Sequence, residues 1–100
     1  MDRYVIHSHL IGTGLASRII RGFCLEDRHP IVFKTYGNTK KHTSQERLDN
    51  ELYFYKLLQK STDYVLKMFE PHKHNDDIGL ILEFANRGDF KNYMKRLDYS

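Results

Sequence analysis

The sequence predicts an α+β domain: a five-stranded antiparallel sheet carrying one long packed helix and ending in a short second helix. Three observations predict it. Apolar runs of strand length, separated by glycine, asparagine and proline turns, occupy residues 4–11, 17–25, 31–36, 64–69 and 78–84. Between the third and fourth run lies a stretch whose apolar residues fall at helical spacing. The connections inside the first three runs and inside the last two are short, which suits antiparallel neighbours rather than crossovers. A chain of 100 residues leaves room for a single domain, residues 1–100.

Each element has its own local reason. In the first run Tyr4, Ile6 and Leu10 share one strand face and Val5, His7 and His9 the other, and Gly12-Thr13-Gly14 breaks it. The second run is followed by the polar turn Glu26-Asp27-Arg28-His29 and by Pro30, and the third stops at Gly37-Asn38. Thr43-x-x-Glu46 has the form of a capping box, and Leu48, Leu52, Tyr55 and Leu58 or Gln59 follow at helical spacing. The helix is expected over 44–60. The last two runs read as a hairpin about a turn at 71–77, after which Asp89 is expected to cap a helix reaching Leu97. No internal repeat is present.

Composition narrows the function classes. Hydrophobic residues make up 40% of the chain and 13% is aromatic, enough to build a core and to exclude wholesale disorder. The net charge of +3 is spread along the chain, which calls for no nucleic-acid partner. A lone cysteine, Cys24, excludes an internal disulfide and a cysteine-rich zinc site, so an intracellular home, cytoplasmic or nuclear, is expected. Apolar stretches such as Leu80-Ile81-Leu82 are too short for a membrane span or a signal-peptide core.

Four local signatures carry candidate chemistry. Gly12-Thr13-Gly14 with Ser17 beyond it forms a Gly-x-Gly turn between two strands, where small residues let backbone amides approach a phosphate; taken alone, a plain glycine hairpin is the simpler reading. A dinucleotide fold is disfavoured because a strand follows the turn. In Ile31-Val32-Phe33-Lys34, period two puts Val32 and Lys34 on one face, so an apolar wall adjoins an ammonium, though a solubilising edge lysine has the same pattern. Glu51 borders the helix's apolar stripe, three residues after Leu48 and four before Tyr55, within reach of a lysine on the sheet, whereas Glu46 belongs to the cap. Finally Leu82-Glu83-Phe84-Ala85 runs into Asn86-Arg87-Gly88-Asp89, a strand-to-helix connector whose backbone can meet a flat heteroaromatic ring or simply turn the chain.

Taken in order, these signatures resemble the small, amino-terminal lobe of a eukaryotic protein kinase, over roughly residues 4–97. The resemblance aligns Gly12 and Gly14 with the first two glycines of the phosphate-covering loop, Ile19 with the valine above adenine, and Lys34 with the phosphate-anchoring lysine. Glu51 aligns with the lysine's helix partner, Leu82 with the gatekeeper, Glu83 to Ala85 with the adenine-reading hinge, and Asp89 with the ribose-facing acid. Tyr55 and Met68 align with the small-lobe part of the family's hydrophobic spine. What this implies is an ATP-binding lobe of Ser/Thr type, with Mg2+ held only if a large lobe is supplied. Ser17 stands at the third glycine, Ala16 at the usual loop-tip aromatic, and Val32 at the alanine that lies against adenine. The His-Arg-Asp, Asp-Phe-Gly and Ala-Pro-Glu motifs do not occur in the sequence, so no catalytic residue is assigned and the chain alone is expected to be inactive.

The resemblance also implies a partner, a kinase large lobe or another kinase that a non-catalytic module would regulate. It implies an exposed apolar patch at Ile19, Val32, Tyr55, Met68 and Leu82, and with it self-association. Two further clusters stand apart from it. His7-x-His9 and His72-x-His74 have the spacing of paired zinc ligands, and Lys40-Lys41-His42 together with Lys91, Lys95 and Arg96 could meet phosphate or an acidic partner; a satisfied strand face and a solvated surface are the plainer readings.

Overall fold

Turn residues divide the chain into seven elements, seen in a computed structural model that describes residues 3–14, 16–58 and 66–98, with backbone alone at 8, 9, 58, 97 and 98. They are β1 (Tyr4–Gly14), β2 (Ser17–Cys24), β3 (Pro30–Tyr36), α1 (Ser44–Leu58), β4 (Leu66–His74), β5 (Asp77–Phe84) and α2 (Arg87–Asp98). The strands form one antiparallel sheet in the order β1-β2-β3-β5-β4. The α+β class, the five strands and the two helices follow the expectation. Leu15 of the glycine turn, the helix positions 59 and 60, and the strand positions 64 and 65 lie outside the described residues.

Several local expectations are corrected. Strand β1 continues through both glycines, and register shifts on either side of Leu10 break its alternation. Leu10 therefore turns outward, 50% exposed, while Ile11 packs inward against the core. The last hairpin turns on two residues only, Asn75 and Asp76, both left-handed at φ 50° and 70°, a geometry that matches strand twist. Pro71 sits within β4 opposite Leu80, tolerated because β4 is an edge strand.

The helix starts are set by side chains. At α1 the Thr43 N–H donates to Glu46 Oε1 at 2.9 Å and the Glu46 N–H donates to Thr43 Oγ1 at 3.1 Å, the reciprocal pair expected of a capping box. Asn38 Oδ1 accepts from the Ser44 N–H at 2.7 Å. At α2 the cap is Asn86, whose Oδ1 accepts from the Asp89 N–H at 2.9 Å. Asp89 is thus the third residue of the helix rather than its cap, a position where its charge suits the positive helix end.

The pleat divides the core in two. One face of the sheet gathers Ile19, Val32, Tyr36, Leu80, Leu82 and Phe84 under Leu48 and Tyr55 of α1 and Phe90 and Tyr93 of α2. The other gathers Tyr4, Ile20, Cys24, Ile31, Phe33 and Ile81, with no helical residue among them. That second face is closed by the sheet itself. Strands β1 and β4, at opposite ends of the strand order, meet where the Tyr4 hydroxyl donates to Glu70 Oε1 at 2.6 Å and the Tyr4 ring stands edge-on to His72 at 5.7 Å. Burial, then the Glu70 carboxylate, pushes the Tyr4 hydroxyl's pKa up.

Candidate functional site

Lys34 leaves the end of β3 on the helix side, as period two requires, and meets Glu51 of α1: Nζ and Oε1 are 3.2 Å apart. Both side chains keep a minor share of exposure, 20% and 29%, so the pair stands at the rim of the core rather than inside it. The ammonium also lies 5.8 Å from the centroid of the Tyr36 ring and 5.9 Å from that of Tyr55, within cation–π range. Burial drives the pKa of both tyrosine hydroxyls upward, so they stay protonated beside the pair. The Tyr36 hydroxyl is buried and finds no hydrogen-bond partner among the described residues.

The glycine turn lies alongside. A Cβ on Gly12 would come no nearer than 3.9 Å to Ile19, and one on Gly14 no nearer than 4.0 Å to Ser17. Neither glycine has a positive φ. Gly22 and Gly79 differ: a Cβ there would lie 2.3 Å from the Val5 carbonyl oxygen and 2.2 Å from that of Lys34. Internal packing therefore explains Gly22 and Gly79 but not Gly12 and Gly14, where a Cβ would make only ordinary van der Waals contact; small residues there suit a close approach from outside the chain. The turn is held by Arg47, a residue the sequence reading did not single out. Its guanidinium donates to Ala16 O at 2.6 Å, Gly37 O at 2.7 Å and Ser17 Oγ at 2.7 Å, which fixes Ala16 in a left-handed conformation at φ 50°. Arg47 lies one helical turn before Glu51, a spacing visible in the sequence whose meaning depends on where β1 and β2 turn.

The apolar wall beside the pair is complete but covered. Ile19, Val32 and Leu82 share the face with Lys34, and Val32 and Leu82 are fully buried. Both helices cover them, α1 through Leu48 and Tyr55 and α2 through Phe90 and Tyr93. Phe90 stacks edge-on against Phe84 at 5.9 Å, Tyr93 lies 5.1 Å from the same ring, and Tyr93 hydrogen-bonds Tyr55 of α1. No protein-family model, curated protein or solved structure matches the chain.

The remaining site residues are placed less simply. Strand β5 runs through Glu83 and Phe84, so these two stay in the ladder, opposite Ile31 and Leu66 respectively. The Glu83 side chain is buried on the far face and pairs with Lys67 at 3.3 Å. The Phe84 carbonyl accepts from His29 Nε2, which assigns the proton to that nitrogen. Ala85 is exposed. Asp89 Oδ2 is buried without a partner among the described residues.

Met68 is a correction: it packs on the far face beside Tyr4, because the register shift between Leu66 and Met68 turns it over, and Phe69 meets Tyr55 in its stead at 6.2 Å. The expected exposed patch is a second correction. Ile19, Val32, Tyr55 and Leu82 are buried by the two helices, and the large exposed apolar side chains of α1 are Tyr53, Phe54 and Leu57. His72 and His74 point their rings at Phe33, and no group of three or more metal-type side chains gathers among the described residues; the side chain of His9 lies outside them. No described helix is long and apolar enough to cross a membrane.

Proposed function

We propose that this chain is a nucleotide-binding module of the protein-kinase small-lobe type, built to hold ATP but not to transfer its phosphate unaided. The Lys34–Glu51 pair carries the proposal: an ammonium oriented by a helix carboxylate, at the end of an apolar wall and near a glycine turn whose glycines internal packing does not require. Triphosphate oxygens would meet Lys34 and the amides of the turn. Adenine would lie on Ile19, Val32 and Leu82, with the connector at Glu83 to Ala85 along its edge and Asp89 toward the ribose. The phosphate half of this arrangement fits the residues as they stand. The base half fits only with α2 lifted, since Phe90 and Tyr93 occupy that side of the wall.

That cover is also the observation favouring a second proposal, a non-catalytic kinase-like module that docks on another kinase or on a separate large lobe. In either case Mg2+ would enter with the partner. Titration with ATP separates the two. The nucleotide-binding proposal expects affinity no better than high micromolar for half a cleft, loss of binding in Lys34→Ala, and tighter binding once Phe90→Ala and Tyr93→Ala release α2. Binding indifferent to Lys34, or none after α2 is released, overturns it in favour of the second.

A further inference from the structure

A further concavity, which neither Lys34 nor Glu51 lines, lies where the middle of β2 faces α2. It is a pocket of about 450 Å³, and four cationic side chains reach it: Arg21 from β2 and Arg87, Lys91 and Lys95 from α2. All four are exposed, and among the described residues none of them makes an ion pair or a hydrogen bond. Among the described residues no carboxylate lines the pocket, and its other walls are the apolar Pro30, Phe90 and Met94. Unneutralised like charges brought together from segments so far apart in the chain repel one another, a cost that an anion removes.

We infer that this pocket binds an extended acidic segment of a partner protein. Arg87, Lys91 and Lys95 recur every fourth residue, so they form one stripe with a step of about 6 Å along the helix axis. Side chains on the same face of an extended peptide repeat every second residue, about 6.6 Å apart. Carboxylates at alternate positions of such a peptide therefore meet the stripe in register, with Arg21 closing the opposite wall and the apolar residues between them receiving an aliphatic side chain. A single-stranded nucleic acid finds no stacking platform, since Phe90, the one aromatic in the lining, is 9% exposed. A bilayer is flat where this site is concave, and the apolar face of α2 is already spent on the sheet. Exposed ion pairs are individually weak, so binding depends on several at once and is salt-sensitive.

The test titrates the full chain with a dye-labelled peptide that alternates glutamate and valine over eight residues. Its comparators are a peptide of the same composition with its glutamates in one block, a dye-labelled oligothymidine, and phosphatidylserine vesicles. The alternating peptide should bind best, weaken on raising salt, and lose about tenfold or more in Lys91→Glu/Lys95→Glu, where attraction becomes repulsion. Arg21→Glu, on a different element, should lose binding as well while α2 stays intact, and Lys56→Glu on the exposed side of α1 should change nothing. Circular dichroism melting of each variant shows whether the fold is kept. Equal binding of the blocked peptide, stronger binding of the oligonucleotide or vesicles, or alternating-peptide binding unchanged by both Arg21→Glu and the α2 double variant overturns the inference.

Discussion

The two faces of the sheet are closed by different means. On one, Phe33, Ile31 and Ile81 vanish from solvent under nothing but other strands, and the polar groups at the seam are paired, Tyr4 with Glu70 and Glu83 with Lys67. On the other, two helices do the covering, and there lie the Lys34–Glu51 pair, its flanking tyrosines and the unpartnered Tyr36 hydroxyl. Buried polar groups cost stability unless satisfied. The face that tolerates them is the one covered by helices rather than by strands, and the candidate chemistry lies there.

Substitutions on matched positions test that contrast. Phe33→Ala should lower unfolding stability by about 3–5 kcal/mol, a large part of what a small domain possesses, and denaturant melts would show it. Tyr93→Ala should instead free α2 while β3 and β5 keep their amide-exchange protection; loss of protection throughout would show that the two faces are one cooperative unit. The glycines repeat the comparison on a smaller scale. Gly79→Ala forces a Cβ to 2.2 Å from a carbonyl oxygen and should strongly destabilise, whereas Gly12→Ala and Gly14→Ala should be neutral or stabilise by up to about 1 kcal/mol in thermal melts. If they prove as damaging as Gly79→Ala, their glycines are structural after all.

Smaller still is the ion pair. Glu51→Ala leaves a half-buried ammonium without its carboxylate and should cost about 1–2 kcal/mol, partly recovered by Lys34→Met on the same background. The smallest effect belongs to the α1 cap. Hydrogen bonds from Thr43 hold the Glu46 carboxyl below the ordinary glutamate value of 4.5. The folded state thus favours ionised Glu46, so its contribution is complete above that value and is lost as the pH falls through the lowered one. Glu46→Gln should flatten the acid side of the stability profile in that window and leave neutral pH almost unchanged.

Local chemistry made much of this legible in the sequence. The capping box at Thr43 and Glu46, the shared face of Val32 and Lys34, and the approach of Glu51 to Lys34 rest on spacings of two, three and four residues, and all are present. What escaped depends on irregular or long-range geometry. The bulges that turn Leu10 outward and move Met68 to the far face change register by one residue, which a period-two pattern does not reveal. Asn86 and Asp89 are both good capping residues, and only the start of α2 decides between them. The docking of α2 was hidden for another reason: Phe90, Tyr93 and Met94 read as an amphipathic stripe whose partner the sequence does not name.

The Tyr4–Glu70 seam also bears on how the chain assembles. Strands β1 to β3 pair with their neighbours in sequence, and β4 and β5 form their own hairpin, so both units can zip from local turns. The ladder between β3 and β5 must wait for the intervening segment to close, and the Tyr4–Glu70 contact spans 66 residues, so it can form only after the other four strands are in line. It is a clasp fastened last and undone first, and the start of β1 should accordingly be the part of the sheet that most readily exchanges, is clipped, or offers its edge to another strand.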